Sequence, residues 1–189
     1  MDFSLNEEQR GWRFYQNAEL ICENARVPHA NVVGEVGVGS VKAGKGDTTG
    51  GDIFGDLELA ANALGVCDDA CGLARAFAKS HKRAGKYLIE HQLVQLKINE
   101  MLALTEALRS YVMRVAWQHD FGEHSANAGL VMNWSTDVIQ RVTRLNMEVH
   151  GAEGCMMNAR VDKLVRDAMV WTHLAGDTVQ RIKILKRIK

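Results

Sequence analysis

The chain has 189 residues, 23 of them basic and 23 acidic, with 47% hydrophobic and 24% charged. That is enough chain to bury a sizeable core in one medium domain, and a formal net charge of zero excludes the basic footprint of a nucleic-acid binder. No apolar run approaches the ~20 residues of a membrane span and the acidic, polar start is unlike a signal peptide, so a cytoplasmic protein without a membrane partner is expected.

Ser4 and Glu7, in "SLNEEQRGWRF", have capping-box spacing and predict a short helix within residues 1–16, weakened by Gly11. Residues 18–33 read as extended or irregular, with the only proline, Pro28, holding a turn. Residues 34–55, "GEVGVGSVKAGKGDTTGGDIFG", read as a glycine-rich loop. Residues 1–55 therefore form an irregular N-terminal segment, and residues 56–189 a helical domain.

Four long stripes at helical spacing follow. The first runs from Asp56 to about Lys82 on Leu57, Ala60, Ala61, Leu64, Cys67 and Cys71. The second, from about Glu90 to His119, uses Leu93, Leu96, Met101, Leu104, Leu108, Tyr111, Val112 and Val115. The third, from about Ser125 to His150, uses Ala128, Met132, Ser135, Ile139, Val142, Leu145 and Val149. The last carries Val161, Leu164, Val165, Ala168 and Trp171 up to a break at Leu174-Ala175-Gly176-Asp177, then Val179, Ile182, Leu185 and Ile188. Long helices with short connections pack as an all-α, antiparallel four-helix bundle.

The residues offer little chemistry unaided. The glycine-rich loop lacks both GxGxxG after a strand and GxxxxGK[ST], so it reads as a connector and not a nucleotide cradle. "HDFGEH", His119 to His124, has the composition of a metal site but the spacing of none, and it falls where two helices must turn. It is all that supports a third reading, a metal- or thioester-binding bundle. His150 before "GAEG" suits a helix end, where a histidine complements the dipole, as the basic tail "KILKRIK" does. Cys22 and Cys155 are isolated, while Cys67 and Cys71 are four apart, which suits a helix face. Reduced, buried thiols are expected and no metal site.

Several stretches together resemble the acyl-CoA dehydrogenase family of flavoproteins. "MDFSLNEEQR" is similar to the first residues of many members, and "ENARVPHANVVGEVG" to the end of their middle β-domain. "HKRAGKYLIEHQLVQLKINEM" resembles R-x-x-F-G-K-x-L-x-E-H-Q-x-V-Q-x-K-L-A-E-M, "HGAEG" stands where the family has GG-x-G, and "VDKLVRDAMVWTHLAGDTVQR" resembles V-x-x-L-x-R-D-A-x-x-x-x-I-x-E-G-T-x-x-I-Q-R. The likeness runs in order from about residue 18 to the end. It implies the family's C-terminal four-helix domain, with most of the N-terminal helical domain and the middle domain missing between Arg13 and Ala18.

The resemblance implies α,β-dehydrogenation of an acyl-CoA thioester with FAD. A carboxylate base takes the α-proton in a water-poor pocket while hydride leaves to the flavin. Aligned through "RDA", the usual glutamate is Ala175, with Asp177 in place of the following threonine, so the chain has no base at the usual position. In a minority of members the base opens the first C-terminal helix. That place falls near Gly55, with Asp52, Asp56 and Glu58 close by; otherwise these three are helix N-terminal carboxylates favouring the dipole. The resemblance assigns dinucleotide contacts to His81 (for the family arginine, with Lys82 and Arg83 as alternative cations), Gly85, His91, Gln92, Glu148 (for glutamine) and Gly151. Ala84 replaces a phenylalanine and Ala152 the second glycine. FAD is therefore expected to bind this chain alone weakly or not at all.

Two further expectations follow. The chain works with FAD and acyl-CoA, completed by missing segments or by a fuller dehydrogenase subunit, with electron-transfer flavoprotein as acceptor. Alternatively it is a non-catalytic helical oligomerisation subunit. Apolar bundle faces predict a homo-dimer or homo-tetramer in either case.

Overall fold

A computed structural model of the protein describes residues 2–4, 11–13, 19–32, 48–123, 127–174 and 181–182, with backbone only at 2–4, 19–20 and 48–54. Strand β1 (Asp2–Ser4) pairs antiparallel with β2 (Glu19–Ile21), Asp2 opposite Ile21. Ser4 thus belongs to a strand and does not cap a helix; Glu7 lies outside the described residues. Pro28 does hold a turn, a single 3-10 turn over His29–Asn31 in which the Asn31 N–H donates to Pro28 O at 2.9 Å.

Four helices make the body: α1 (Thr48–Ser80), α2 (Gln92–Asp120), α3 (Asn127–His150) and α4 (Val161–Leu174). Helix α1 begins eight residues before Asp56, so the end of the glycine-rich stretch is helical; residues 34–47 lie outside the described residues. Gly50, Gly51 and Gly55 each cost roughly 1 kcal/mol against alanine, but with no proline to stop it an existing helix extends by one hydrogen bond per added residue.

Helix α3 is central, packing on α1, α2 and α4, and it buries all seven residues of its expected stripe. Helix α1 turns small side chains into the core, Ala60, Ala63, Cys67, Ala70, Cys71, Ala74 and Ala78, with Cys71 Sγ 3.4 Å from Thr105 Oγ1 of α2. This face is rotated from the expected one, and Ala61 is exposed. Small residues let two helix axes approach closely, so dispersion is gained backbone to backbone. Helix α2 buries Ile98, Met101, Thr105, Leu108, Val112 and Val115, whereas Leu93 and Leu96, expected inside, are 74% and 64% exposed. They stand on the face of α2 turned away from the core, since Val94 between them already packs against it.

Between α1 and α2 the chain does not simply turn. Strands β3 (Lys82–Arg83) and β4 (Lys86–Tyr87) form a minimal hairpin, followed by a 3-10 turn over Leu88–Glu90. Ala84 and Gly85 form its loop with φ +50° and +82°, both left-handed, as a type I′ turn requires. "HDFGEH" is the α2–α3 turn, as expected: Gly122 has φ +76° and its N–H donates to His119 O at 3.0 Å. His124 lies outside the described residues. Of the cysteines, Cys67 and Cys71 are buried as expected, while Cys22 and Cys155 are exposed, against expectation, because they stand off the bundle; all four are free. Burial pushes the Cys67 thiol far above its ordinary range.

The N-terminal segment docks on α4 at Gly11-Trp12. The Trp12 N–H donates to Asp167 Oδ1 at 2.8 Å, and its ring meets Trp171 edge-on at 4.7 Å between centroids. Gly11 is needed there, since a Cβ would stand 2.4 Å from Arg166 O. Past α4, Arg181 pairs with Asp137 of α3 at 2.7 Å. No helix among the described residues is long and apolar enough to cross a membrane.

Candidate functional site

The last turn of α1, the hairpin and the end of α3 meet around Phe77. His81 follows the final residue of α1 and stacks on Phe77 with centroids 3.8 Å apart, and His150, the last residue of α3, packs on the same ring at 4.2 Å. Backbone carbonyls fix both imidazoles. His81 Nδ1 lies 3.1 Å from Phe77 O and His150 Nδ1 lies 2.9 Å from Asn146 O. A carbonyl only accepts, so in each ring Nδ1 carries the proton and Nε2 remains. The Ser80 hydroxyl donates to Ala76 O at 3.0 Å.

Beyond His150 the chain turns at Gly151 (φ +60°) into a 3-10 segment, Gly151–Cys155. Gly154 is tightly held, because a Cβ there would stand 3.1 Å from both His150 Cβ and Met147 O. The segment brings Glu153 Oε2 to 3.7 Å from His81 Nε2. Phe77, His81, His150, Glu153, Met156, Asn158 and Ala159 line the resulting cleft of ≈ 450 Å³. Of these the sequence had singled out His81 for binding and His150 as a cap. "GAEGCMMN" directly after a helix-ending histidine was the signal for most of the rest, and helical spacing to His81 the one for Phe77.

The other singled-out residues are arranged less closely. His91 is the N-cap of α2 and its Nε2 donates to Arg83 O at 3.0 Å, tying the hairpin to that helix; Gln92 is exposed in the first turn. Arg83 and Lys82 are exposed, and Lys82 Nζ sits 4.5 Å from the Tyr87 ring centre. Gly85 has open space around it. Glu148 points to α2, where Lys97 Nζ binds it at 2.9 Å; that hydrogen bond holds its carboxyl below the usual range. Asp56 is half-buried and engaged, and Glu58 is exposed. Neither these nor Asp52 falls in the first turn of α1, which starts at Thr48. A dipole role there is corrected accordingly, since the effect fades beyond one turn. The side chain of Asp52, and Ala175, Gly176 and Asp177 entirely, lie outside the described residues.

A dinucleotide diphosphate needs N–H donors and cations. Around His81 the structure offers the reverse: two ring nitrogens whose partners Nδ1–H are spent on carbonyls, with the Glu153 carboxylate alongside. Glu148 adds a second negative group, already neutralised by Lys97. The cleft therefore does not fit the diphosphate, and Arg83 on the hairpin is the one guanidinium of the singled-out set. No group of three His, Cys, Asp or Glu among the described residues is arranged to hold a metal ion.

A four-helix bundle with a hairpin before its second helix, a histidine N-cap there and a glycine turn after its third defines the class, a helical flavoenzyme-type C-terminal domain. The chain belongs to the acyl-CoA dehydrogenase family: residues 55–189 match its C-terminal domain. It is 28% identical to a probable acyl-CoA dehydrogenase, YngJ, of Bacillus subtilis over 96% of this chain and 47% of that protein. It is 26% identical to subunit CarC of the caffeyl-CoA reductase-Etf complex of Acetobacterium woodii, over 95% of this chain and 46% of that protein. Among solved structures, the butyryl-CoA dehydrogenase of Megasphaera elsdenii superposes with a TM-score of 0.84 at 25% identity, over 98% of this chain and 47% of that one. The chain spans about half the length of the curated relatives it matches.

Proposed function

We propose that the chain serves as the C-terminal helical domain of an acyl-CoA dehydrogenase-type oxidoreductase, whose flavin site and catalytic carboxylate are completed from outside these 189 residues. The observation that carries this is the family bundle itself, preserved through the His91 cap and the Asp167 segment (the "EHQ" and "RDA" stretches). Ala175, where the resemblance places the base, has only a methyl group and accepts no proton. Of the nearby carboxylates whose side chains are described, Asp56 is the better substitute, because it is half-buried whereas Glu58 is exposed. A partner of the electron-transfer-flavoprotein kind suits this reading, supported by the relative named as a subunit of an Etf complex. The test is the absorbance spectrum of the purified chain, with and without added FAD, followed by an acyl-CoA dehydrogenation assay with a fuller family subunit. A chain that stays colourless alone and supports turnover with that subunit bears the reading out; one that never contributes to turnover removes it.

A second reading, a non-catalytic oligomerisation bundle, is favoured by one observation. Met113 and Trp117 on α2 and Phe121 at its C-cap form an exposed row, 64%, 57% and 68% accessible, at four-residue spacing. Apolar rows of that kind mark interfaces. Light scattering on the purified chain decides it: a dimer or tetramer without activity in any pairing supports this reading, and a clean monomer overturns it.

A further inference from the structure

We infer that the outer face of α2 docks on the same face of a second copy of this chain, the two helices running antiparallel about a two-fold axis at Ala107. Such pairing rests on the self-association of the second reading and does not depend on whether the chain takes part in catalysis.

Helix α2 carries two stripes of alternating three- and four-residue spacing on opposite sides. One, from Val94 and Ile98 to Val112 and Val115, faces the core. The other starts at Leu93 and Leu96 and ends at Trp117 and Phe121, and all four are exposed. That spacing is the seam of a coiled coil, here turned to solvent. Large apolar residues held along an open seam call for a partner helix.

The order of residues along the seam identifies the partner. Read from either end it runs large apolar, charged, small, charged, large apolar, and the two charges have opposite sign. Set antiparallel about Ala107, Leu93 and Leu96 of one copy meet Phe121 and Trp117 of the other. Glu100 then meets Arg114, and Ala103 meets Ser110. A two-fold interface needs a surface that is its own complement, whereas an unrelated partner places no such requirement on the order. Parallel pairing would set Glu100 on Glu100 and Arg114 on Arg114, and like charges in contact are costly.

Local structure suits this contact. The Trp117 and Phe121 rings pack with centroids 4.8 Å apart, a ready apolar ledge for the two leucines. Ala103, Ala107 and Ser110 are exposed and small, so the helix axes can approach closely at the two-fold. Arg114 lies 5.0 Å from the Tyr111 ring centre and has no carboxylate partner among the described residues. Glu100 accepts from Arg141 through both oxygens, at 2.5 and 2.9 Å, yet its side chain stays partly accessible. A carboxylate has lone pairs for a second cation. The two crossed Glu100–Arg114 pairs, one on each side of the axis, fix register and direction.

Sedimentation equilibrium of the full-length chain, with Arg114→Glu and Ala107→Glu, tests this. The wild type should form dimers at micromolar concentration, and each variant should raise the dimer Kd by about tenfold or more. Both positions are exposed on a helix, so circular dichroism should not change. Ala61→Glu, at an exposed alanine of α1, should leave the Kd as it is. An equimolar mixture of Arg114→Glu and Glu100→Arg should regain dimers, because each charge again meets its opposite. Should Glu100→Arg not fold without its Arg141 pair, the first two variants decide alone. A monomeric wild type, even one that pairs with a fuller family subunit, overturns both the α2 contact and the second reading. A dimer whose Kd is unchanged in Arg114→Glu or in Ala107→Glu, or a mixture of folded variants that stays monomeric, overturns the α2 contact and leaves that reading standing.

Discussion

The two places where separate segments close onto the bundle are built in opposite ways. At the Trp12–Trp171 junction every group has its partner: Asp167 receives the Trp12 N–H, Trp171 Nε1 donates to Leu59 O at 3.1 Å, and Gly11 leaves no room for a methyl. At the Phe77 cleft the rings are pinned as firmly by backbone carbonyls, but His81 Nε2 and the Glu153 carboxylate meet at an exposed surface, 3.7 Å apart. A junction that only holds chain together satisfies its polar groups internally. Removing the largest side chain of the closed junction should therefore be a matter of stability alone. Trp171→Ala, at a position 3% exposed, is expected to cost about 3–5 kcal/mol by urea unfolding. A loss below about 1 kcal/mol would mean that the junction is not closed.

Gly11→Ala sharpens the same contrast at smaller cost. Its Cβ would meet Arg166 O at 2.4 Å and Val170 Cγ2 at 2.8 Å, and a helix carbonyl cannot swing aside. About 1–3 kcal/mol of destabilisation is expected, with Trp12 fluorescence moving toward that of a solvated indole; unchanged fluorescence would show that the segment does not rely on this contact. A substitution at Asn146, one turn before His150, should act in the other direction. Asn146 is fully buried and neither side-chain polar atom has a hydrogen bond, whereas its backbone carbonyl holds His150. Asn146→Leu removes the unpaired amide at similar volume and keeps that carbonyl. Stability should rise by about 1 kcal/mol in thermal unfolding. A loss of stability would show that the amide is partnered in solution.

Helix periodicity made the body of the fold legible, most completely in α3, which packs on three neighbours and so needs an apolar arc wide enough to read. It failed where the buried face is made of small side chains or where large apolar residues stand on the outer face. In α1 the contact face is alanine and cysteine, which hydrophobicity cannot tell from an exposed alanine such as Ala61. In α2, Leu93 and Leu96 are apolar but sit on the outer face, while Val94 between them packs against the core. The site was legible only where a residue's role is local, as with His150 at a helix end. Phe77 meets His81 at a four-residue helical spacing that periodicity could have offered, whereas Glu153 comes to His81 through the Gly151 turn, which no spacing along the chain encodes. The early strand Asp2–Ser4 was missed because its partner, Glu19–Ile21, lies across residues with no hairpin signature.

The β3–β4 hairpin was missed for a reason that can be tested. Two-residue loops announce themselves through Asn-Gly or Asp-Gly, because both positions of a type I′ turn need positive φ. Here the pair is Ala84-Gly85, and Ala84 holds φ +50° with a Cβ that disfavours it. The conformation is imposed from outside, by His91 Nε2 on Arg83 O, by the Leu88 N–H on His81 O at 2.8 Å, and by Glu90 accepting the Tyr87 N–H at 2.6 Å. If those bonds carry the turn, Ala84→Asn supplies the residue the geometry wants and changes nothing else. It should raise stability by about 0.5–1 kcal/mol, the smallest effect of the set, read as a rise in the urea midpoint at constant slope. A destabilised variant would show that the left-handed loop is not the resting shape of the hairpin.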